Sequence, residues 1–534
     1  MYEFSWIPFI MMGGLMVAVL GLSYKATISK RLLGRSETFE DFYTGNKSFA
    51  TFTVALVTLV TFYSGSTFTG RVGYTFSNGV AALSVIPSCA MAGVIMYFLA
   101  EKVWPLAKKY RLSTLADLLE LRYQNRYVKA IVATTIVSFN IIWLILEIRT
   151  LGYIINIVSG GLISDTIGSL IGFSVIVMYV VTGGVKSVAS VDSFTSLVVL
   201  TFSFATLLFI LGSFYNGSIT NIFEVIRDVA PEKMVFETSG EWGWKFWLSI
   251  MIIDTPTGFI YPANFMMICM GKDTKTIKKS AMFTALSGSW LALVVVLGFA
   301  AYGITTMGYT IVNPESSLLE MVTLLSSPFF VGVVATFIFA AALGTLDSTL
   351  IGLSGLISND IIGGIKQIRT KEPLIGSVEG NGKAINERVT KNSKQEIRRT
   401  RIAIVTLGAV AFLLSLYDLP VMMLMIALAS GGLIQVAPII VGGLWWKKST
   451  PVAGLAGMGI GLTTYIIFHL SGLDLGGLYV SVPAIILNII VYVSVSLLTY
   501  KKHHADHPQM EKILKDFFDL KSVEKYIEEE FVDL

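Results

Sequence analysis

Apolar stretches of roughly 18 or more residues, long enough to cross a hydrocarbon core of about 30 Å as a helix, recur from end to end of this chain. Most of them lack the polar face that a helix of a water-soluble core presents to solvent. The composition agrees: 54% of the 534 residues are apolar and 14% charged, against about 25% charged in an average soluble protein. The sequence therefore predicts an all-α integral membrane protein whose obligate surroundings are a lipid bilayer. The net charge of +4 is concentrated in patches, a topology signal that carries no hint of nucleic-acid binding.

The hydropathy pattern predicts thirteen spans, near 5–24, 48–76, 80–103, 128–157, 164–184, 191–214, 243–270, 280–306, 328–358, 401–417, 420–445, 452–472 and 478–500. Basic residues test that count. Every second loop holds them: Lys25 to Arg35, Lys102 to Lys129, Lys186, Lys272 to Lys279, Lys366 to Arg401, Lys447 with Lys448, and Lys501 with Lys502. Ser280 to Ile365 has none. One missed span would throw all later loops out of phase, so the positive-inside bias predicts an outside N-terminus and a cytoplasmic C-terminus in the plasma membrane. Glu3 precedes the first apolar run and the basic residues follow it, the reverse of a cleaved signal. Residues 1–500 read as one transmembrane domain. Residues 501–534 read as a short cytoplasmic tail with apolar positions at helical spacing, from Met510 to Leu520. The loop at 364–400, with Gly376, Gly380 and Gly382 among many charges, reads as a flexible linker. Cys89 and Cys269 lie in apolar segments and read as packing residues, and His503, His504 and His507 as a solvated run.

Two spans interrupt their own helices. The second carries Thr61, Ser64, Gly65, Ser66, Thr67, Thr69 and Gly70, and the seventh carries Asp254, Thr255, Pro256, Thr257, Gly258 and Pro262. Proline removes a helix donor and glycine loosens the backbone. A mid-membrane break exposes carbonyl oxygens for a cation and a positive half-helix end for an anion. The breaks lie five spans apart, an odd offset, so spans 2–6 (about 48–214) and 7–11 (about 243–445) predict two inverted five-helix units with a site at their interface. Ionisable groups inside the spans are costly and mark candidate function: Glu147, Arg149, Asp192, Asp254 and Asp347. Glu147 and Arg149, two apart, point in different directions on a helix and do not simply pair.

Five segments follow one another along the chain: Asp41-Phe42-Tyr43-Thr44-Gly45-Asn46-Lys47-Ser48, Leu112 to Tyr123, Thr182-Gly183-Gly184 with Asp192, Ala340 to Ser348 with Asn359-Asp360, and Ser430 through Gln435 with Pro438 and Gly442 to Lys448. In that order they resemble the signatures of the sodium:solute symporter family, the first its entry into the second helix and the second its loop between helices three and four. The resemblance implies a LeuT-type 5+5 inverted repeat and alternating access. It implies a sodium site from the carbonyls of Val60 and Tyr63 and groups of Ala341, Gly344 and Thr345, with Asp192 on a second cation or proton path. Gly344 departs from the family, which usually has serine there, so one oxygen ligand is missing. Water can replace it, or coupling can pass to protons. The substrate positions implied are Phe62, Ser64, Glu147, Arg149 or Thr150, Asp254, Tyr261 and Gln435. Asp254 stands where the proline carriers place an aromatic ring, which argues against proline itself.

The function expected is uptake of a small organic solute, an amino acid or a short carboxylate, driven by inward sodium. A proton-coupled carrier of the same fold, or a transporter-like sensor or channel, are the alternatives. No nucleotide-binding glycine loop, HExxH or GxSxG occurs, so no enzyme is expected, and no obligate protein partner is evident.

Overall fold

In hydrocarbon no water satisfies a backbone group, and the helix closes every N–H onto a C=O of its own segment. The computed structural model follows that rule throughout. It describes residues 4–32, 38–236, 242–325, 327–370, 374–375, 393–417, 419–506 and 510–530. Gly376, Gly380 and Gly382 of the expected linker, and His507, lie outside the described residues. Among the described residues, nine helices are long and apolar enough to cross a membrane, and two of them run through more than one expected span. The one strand-like pairing there is a single bridge between Phe49 and Gly271.

The chain begins with α1 (Trp6–Leu32). The second span is split: α2 (Thr51–Phe62) ends at Tyr63, a π-turn covers Thr67–Arg71, and α3 (Val72–Asn78) completes it. Then come α4 (Val85–Tyr110), the short α5 (Leu115–Tyr123), α6 (Arg126–Val158) and α7 (Asp165–Phe214). The seventh span is α8 (Trp244–Ile260) and α9 (Pro262–Met270), followed by α10 (Thr274–Ser287), α11 (Ala292–Thr305) and α12 (Pro328–Gly355). The rest is α13 (Ser393–Ser415), α14 (Met422–Leu433), α15 (Ala437–Trp445), α16 (Pro451–Leu470), α17 (Ser481–Asp506) and two tail helices, α18 (Met510–Phe518) and α19 (Leu520–Glu530).

α7 covers two expected spans, and Gly184 separates them at φ 62° and ψ −158°. A side chain there would meet the carbonyl of Phe42 at 2.8 Å, so both the backbone and the space demand glycine. α12 is the centre of the bundle. It packs on α7, α6 and α1, and 94% of its most apolar stretch is buried. The outer helices turn apolar groups such as Val17, Leu413 and Leu498 away from the protein.

Polar anchors hold the face that carries the tail. Lys129 of α6 reaches Asp117 (2.6 Å), Glu120 (2.9 Å) and Asp360 (3.4 Å), all buried. Asp117 also accepts from the backbone N–H of Ser113 and Thr114, closing a capping box at the start of α5. Burial alone would raise the Asp117 carboxyl, but Lys129 outweighs it and holds the group below its usual range. The tail docks on this face as the amphipathic helix its spacing predicts: Met510, Ile513 and Phe517 are buried, and Lys109 donates to Asp516 at 2.6 Å.

Candidate functional site

The break in the second span is built locally. α2 ends at Tyr63, whose φ of −93° and ψ of 60° leave the helix. Ser64 then caps the next half, its Oγ accepting from the N–H of Thr67 at 3.1 Å. Glu147, from α6, places its carboxylate on the same half-helix end. It accepts from the N–H of Ser66 at 3.3 Å and from the Ser66 hydroxyl at 2.6 Å. The positive end that was expected to attract a solute is thus already met by a protein carboxylate with no exposed surface.

The seventh span breaks at the far end of the expected stretch. The helix continues through Pro256 and opens at Tyr261, with φ −56° and ψ 123°. Pro262 explains the position, because the residue before a proline is pushed out of the helical region and proline itself suits the first turn of the next helix. Asn264 donates its side-chain N–H to the carbonyl of Gly258 beside this break.

Between the two broken spans lies a cavity of about 70 Å³. Thr61, Phe62, Ser64, Thr67 and Arg71 line it from the second span, and Asp254, Thr257, Gly258, Tyr261 and Asn264 from the seventh. Val85, Ser88, Cys89, Ala92, Trp143, Leu291, Thr345 and Thr349 complete the wall. Trp143 meets Tyr261 edge to face, with ring centroids 5.5 Å apart. The Tyr261 hydroxyl and Asn264 Oδ1 are buried and have no hydrogen-bond partner among the described residues.

At one end of the cavity, Thr345 of α12 donates its hydroxyl toward the carbonyls of Val60 at 3.1 Å and Ala341 at 3.3 Å. These are hard, neutral oxygens gathered at the break, the donor type that alkali cations take. Gly344 adjoins them. A Cβ built on it would lie 2.6 Å from Val60 Cγ1 and 3.2 Å from Asp192 Oδ1. The valine therefore occupies space that a serine side chain would need. Asp192, fully buried, accepts from the Ser348 hydroxyl at 3.0 Å, and Asp347 accepts from Tyr179 at 2.5 Å.

Of the expected substrate positions, the structure brings Phe62, Ser64, Asp254 and Tyr261 onto one cavity wall. It leaves four outside, and Thr150 among them shares a hydrogen bond with the Thr69 hydroxyl at 3.1 Å. Glu147 is behind the break. Arg149 turns to Glu315 (3.7 Å), the Tyr153 hydroxyl (2.8 Å) and the carbonyl of Pro420 (3.4 Å). Gln435 accepts from Asn488 at 3.1 Å. Of the sodium positions, Val60, Ala341, Gly344 and Thr345 adjoin one another, and Tyr63, whose carbonyl is the expected ligand, ends α2 beside them with its side-chain hydroxyl donating to the carbonyl of Ser287. The residue that sequence reasoning missed is Arg71. Its spacing could have found it, since Ser64, Thr67 and Arg71 recur at i, i+3 and i+7, one helix face.

The model of the sodium:solute symporter family matches residues 42–376. The chain belongs to that family. It is 24% identical to the high-affinity proline transporter PutP of Bacillus subtilis over 486 residues, covering 87% of this chain and 94% of that one. It is 22% identical to the sodium/pantothenate symporter of Haemophilus influenzae, covering 85% and 89%. A solved Na+-coupled sialic acid symporter, in a substrate-bound outward-open state, superposes with a TM-score of 0.74 at 14% identity over 93% of this chain and 98% of that one. This sodium:solute symporter family member is accordingly a multi-pass membrane protein and a solute symporter.

Proposed function

We propose that the protein couples inward sodium flow to uptake of a small organic solute, an amino acid or a short carboxylate, by alternating access. The observation that carries this reading is the convergence of Thr345, Val60 and Ala341 oxygens at the break of the second span, at the edge of a cavity between the two broken spans. None of those oxygens titrates near neutral pH, which favours sodium over a proton as the ion held there. Asp192, beside Gly344, lies on a second cation or proton path. The sodium-coupled relatives support the same ion. Phe62, Ser64, Asp254 and Tyr261 face the solute in this reading. Glu147 and Arg149 hold the surrounding backbone, and Gln435 ties α14 and α15 to α17.

In the same proposal thirteen spans cross the membrane: the nine long helices become eleven once Gly79 and Gly184, both at positive φ, are taken as turns, and α8 with α9, and α13, add two more. The N-terminus is then outside, the tail cytoplasmic, and residues 1–500 form the transport domain. The bridge from Phe49 to Gly271 favours the inverted 5+5 arrangement, because it joins the entry of the second span to the exit of the seventh. Counterflow in proteoliposomes tests the function, with sodium and proton gradients imposed separately. Stimulation by sodium is expected. Stimulation by protons alone would reassign the ion, and none by either would reject symport.

A further inference from the structure

Arg71 and Asp254 face each other across the cavity from the second and seventh spans, with Nη2 and Oδ2 3.4 Å apart. Among the cavity-lining residues they are the two that carry charge. Their separation exceeds the roughly 2.7–2.9 Å of a tight charge-assisted bond, so the contact is loose and lies open to a competing group. Asp254 is held from one side only by a hydroxyl, Ser430 donating to its Oδ1 at 3.0 Å. The other charges nearby are already committed. Glu147 neutralises the half-helix end through Ser66, and Arg149 is turned away to Glu315.

We infer that Arg71 and Asp254 form a charge clamp that selects a solute carrying both a carboxylate and an ammonium group, the amino-acid zwitterion class. This rests on the symporter reading above and narrows it. A simple anion bound to Arg71 would leave Asp254 unpaired in a mostly apolar cavity. A simple amine bound to Asp254 would strand Arg71. Leaving a buried charge without its partner is strongly unfavourable. A zwitterion replaces each half of the pair with a charge of its own, so nothing is left uncompensated. The remaining wall fits the rest of such a molecule. Phe62, Trp143, Val85 and Ala92 offer an apolar face, and the Tyr261 hydroxyl with Asn264 Oδ1 offers unspent polar atoms. At about 70 Å³ the cavity is about half the roughly 150 Å³ that accommodates benzene, which suits a small solute, alanine before valine, and excludes a sugar in this conformation.

The test uses two sets of matched probes: alanine with propanoate and ethylamine, and valine with 3-methylbutanoate and 2-methylpropylamine. Thermal shift of the purified full chain ranks their binding, and uptake into proteoliposomes under an imposed sodium gradient ranks their transport. The amino acid of at least one set is expected to bind, roughly tenfold or more better than either truncated analogue. Asp254→Asn is expected to move preference toward the carboxylate, and Arg71→Gln toward the amine, each by about tenfold relative to the amino acid. A carboxylate that matches its amino acid on the wild-type protein overturns the inference. So do ratios that neither variant moves, or binding of no probe from either set. Should a variant fail to fold, the wild-type ranking decides. Binding with the expected ranking but no response to sodium would instead count against the symport reading alone.

Discussion

Lys129 is one cation among three buried carboxylates, Asp117, Glu120 and Asp360. Removing one partner of a buried ion pair typically costs about 3–5 kcal/mol, because the charge left behind is uncompensated. Lys129→Met is therefore expected to destabilise the protein by about that amount, read as a lowered melting temperature in detergent. The same cluster sets a pH dependence. Asp117 is held below its usual range in the folded state, so its contribution is present above the unfolded value of about 3.9 and is lost as pH falls through the folded one. Thermal melts of wild type and Asp117→Asn should converge as pH drops below about 4, with a constant gap arguing against this linkage. Gly344 calls for a paired change. Gly344→Ser alone forces a side chain against Val60 and is expected to weaken sodium-driven uptake. Val60→Ala combined with Gly344→Ser makes room for the hydroxyl and is expected to lower the sodium concentration needed for half-maximal uptake. No difference between the single and double variants would remove Gly344 from the ion site.

The helices themselves were legible where their cause is local. Ser64, Gly65 and Gly70 announce the break in the second span, and the spacing of Met510, Ile513 and Phe517 announces the tail helix. The seventh span shows the limit of that reading. Its sequence offers two prolines, and the helix absorbs Pro256 but opens before Pro262. Composition alone does not tell which proline sits where the neighbouring backbone has room to unwind. The tail's packing is likewise a matter of partners far away in sequence. Phe517 is fully buried, and Lys102 donates to its carbonyl at 3.3 Å. Phe517→Ala is expected to cost about 3–5 kcal/mol of local stability and to release α18, seen as faster hydrogen exchange and proteolysis confined to residues after 506.

Across the molecule, the family and the all-helical class could be read from hydropathy and ordered motifs, and the two broken spans that border the candidate site from their polar interruptions. Which charges meet could not. Arg149 lies two residues from Glu147 on a different side of the helix, and its partner Glu315 comes from a loop 166 positions away, a pairing that only the folded bundle creates. Glu315 also accepts from the N–H of Met422 and, at 3.3 Å, from Tyr153, so it ties α14 and α6 together on the face opposite the tail. In the proposed orientation that is the outer face. Glu315→Gln is expected to loosen it and raise the time spent open to the outside. Cys89, on the cavity wall, supplies a native reporter. Its labelling by an impermeant thiol reagent added outside should rise several-fold, with fully buried Cys269 as the silent control.

The carboxylate of Glu147 has a consequence for the empty carrier. Because it grips the N–H and hydroxyl of Ser66 from within the protein, the unwound turn needs no cargo to hold its shape. In the proposed alternating-access cycle, an unloaded molecule would swing back across the bilayer with its opening intact, ready for the next passenger, instead of having to coil up and melt again on every round trip.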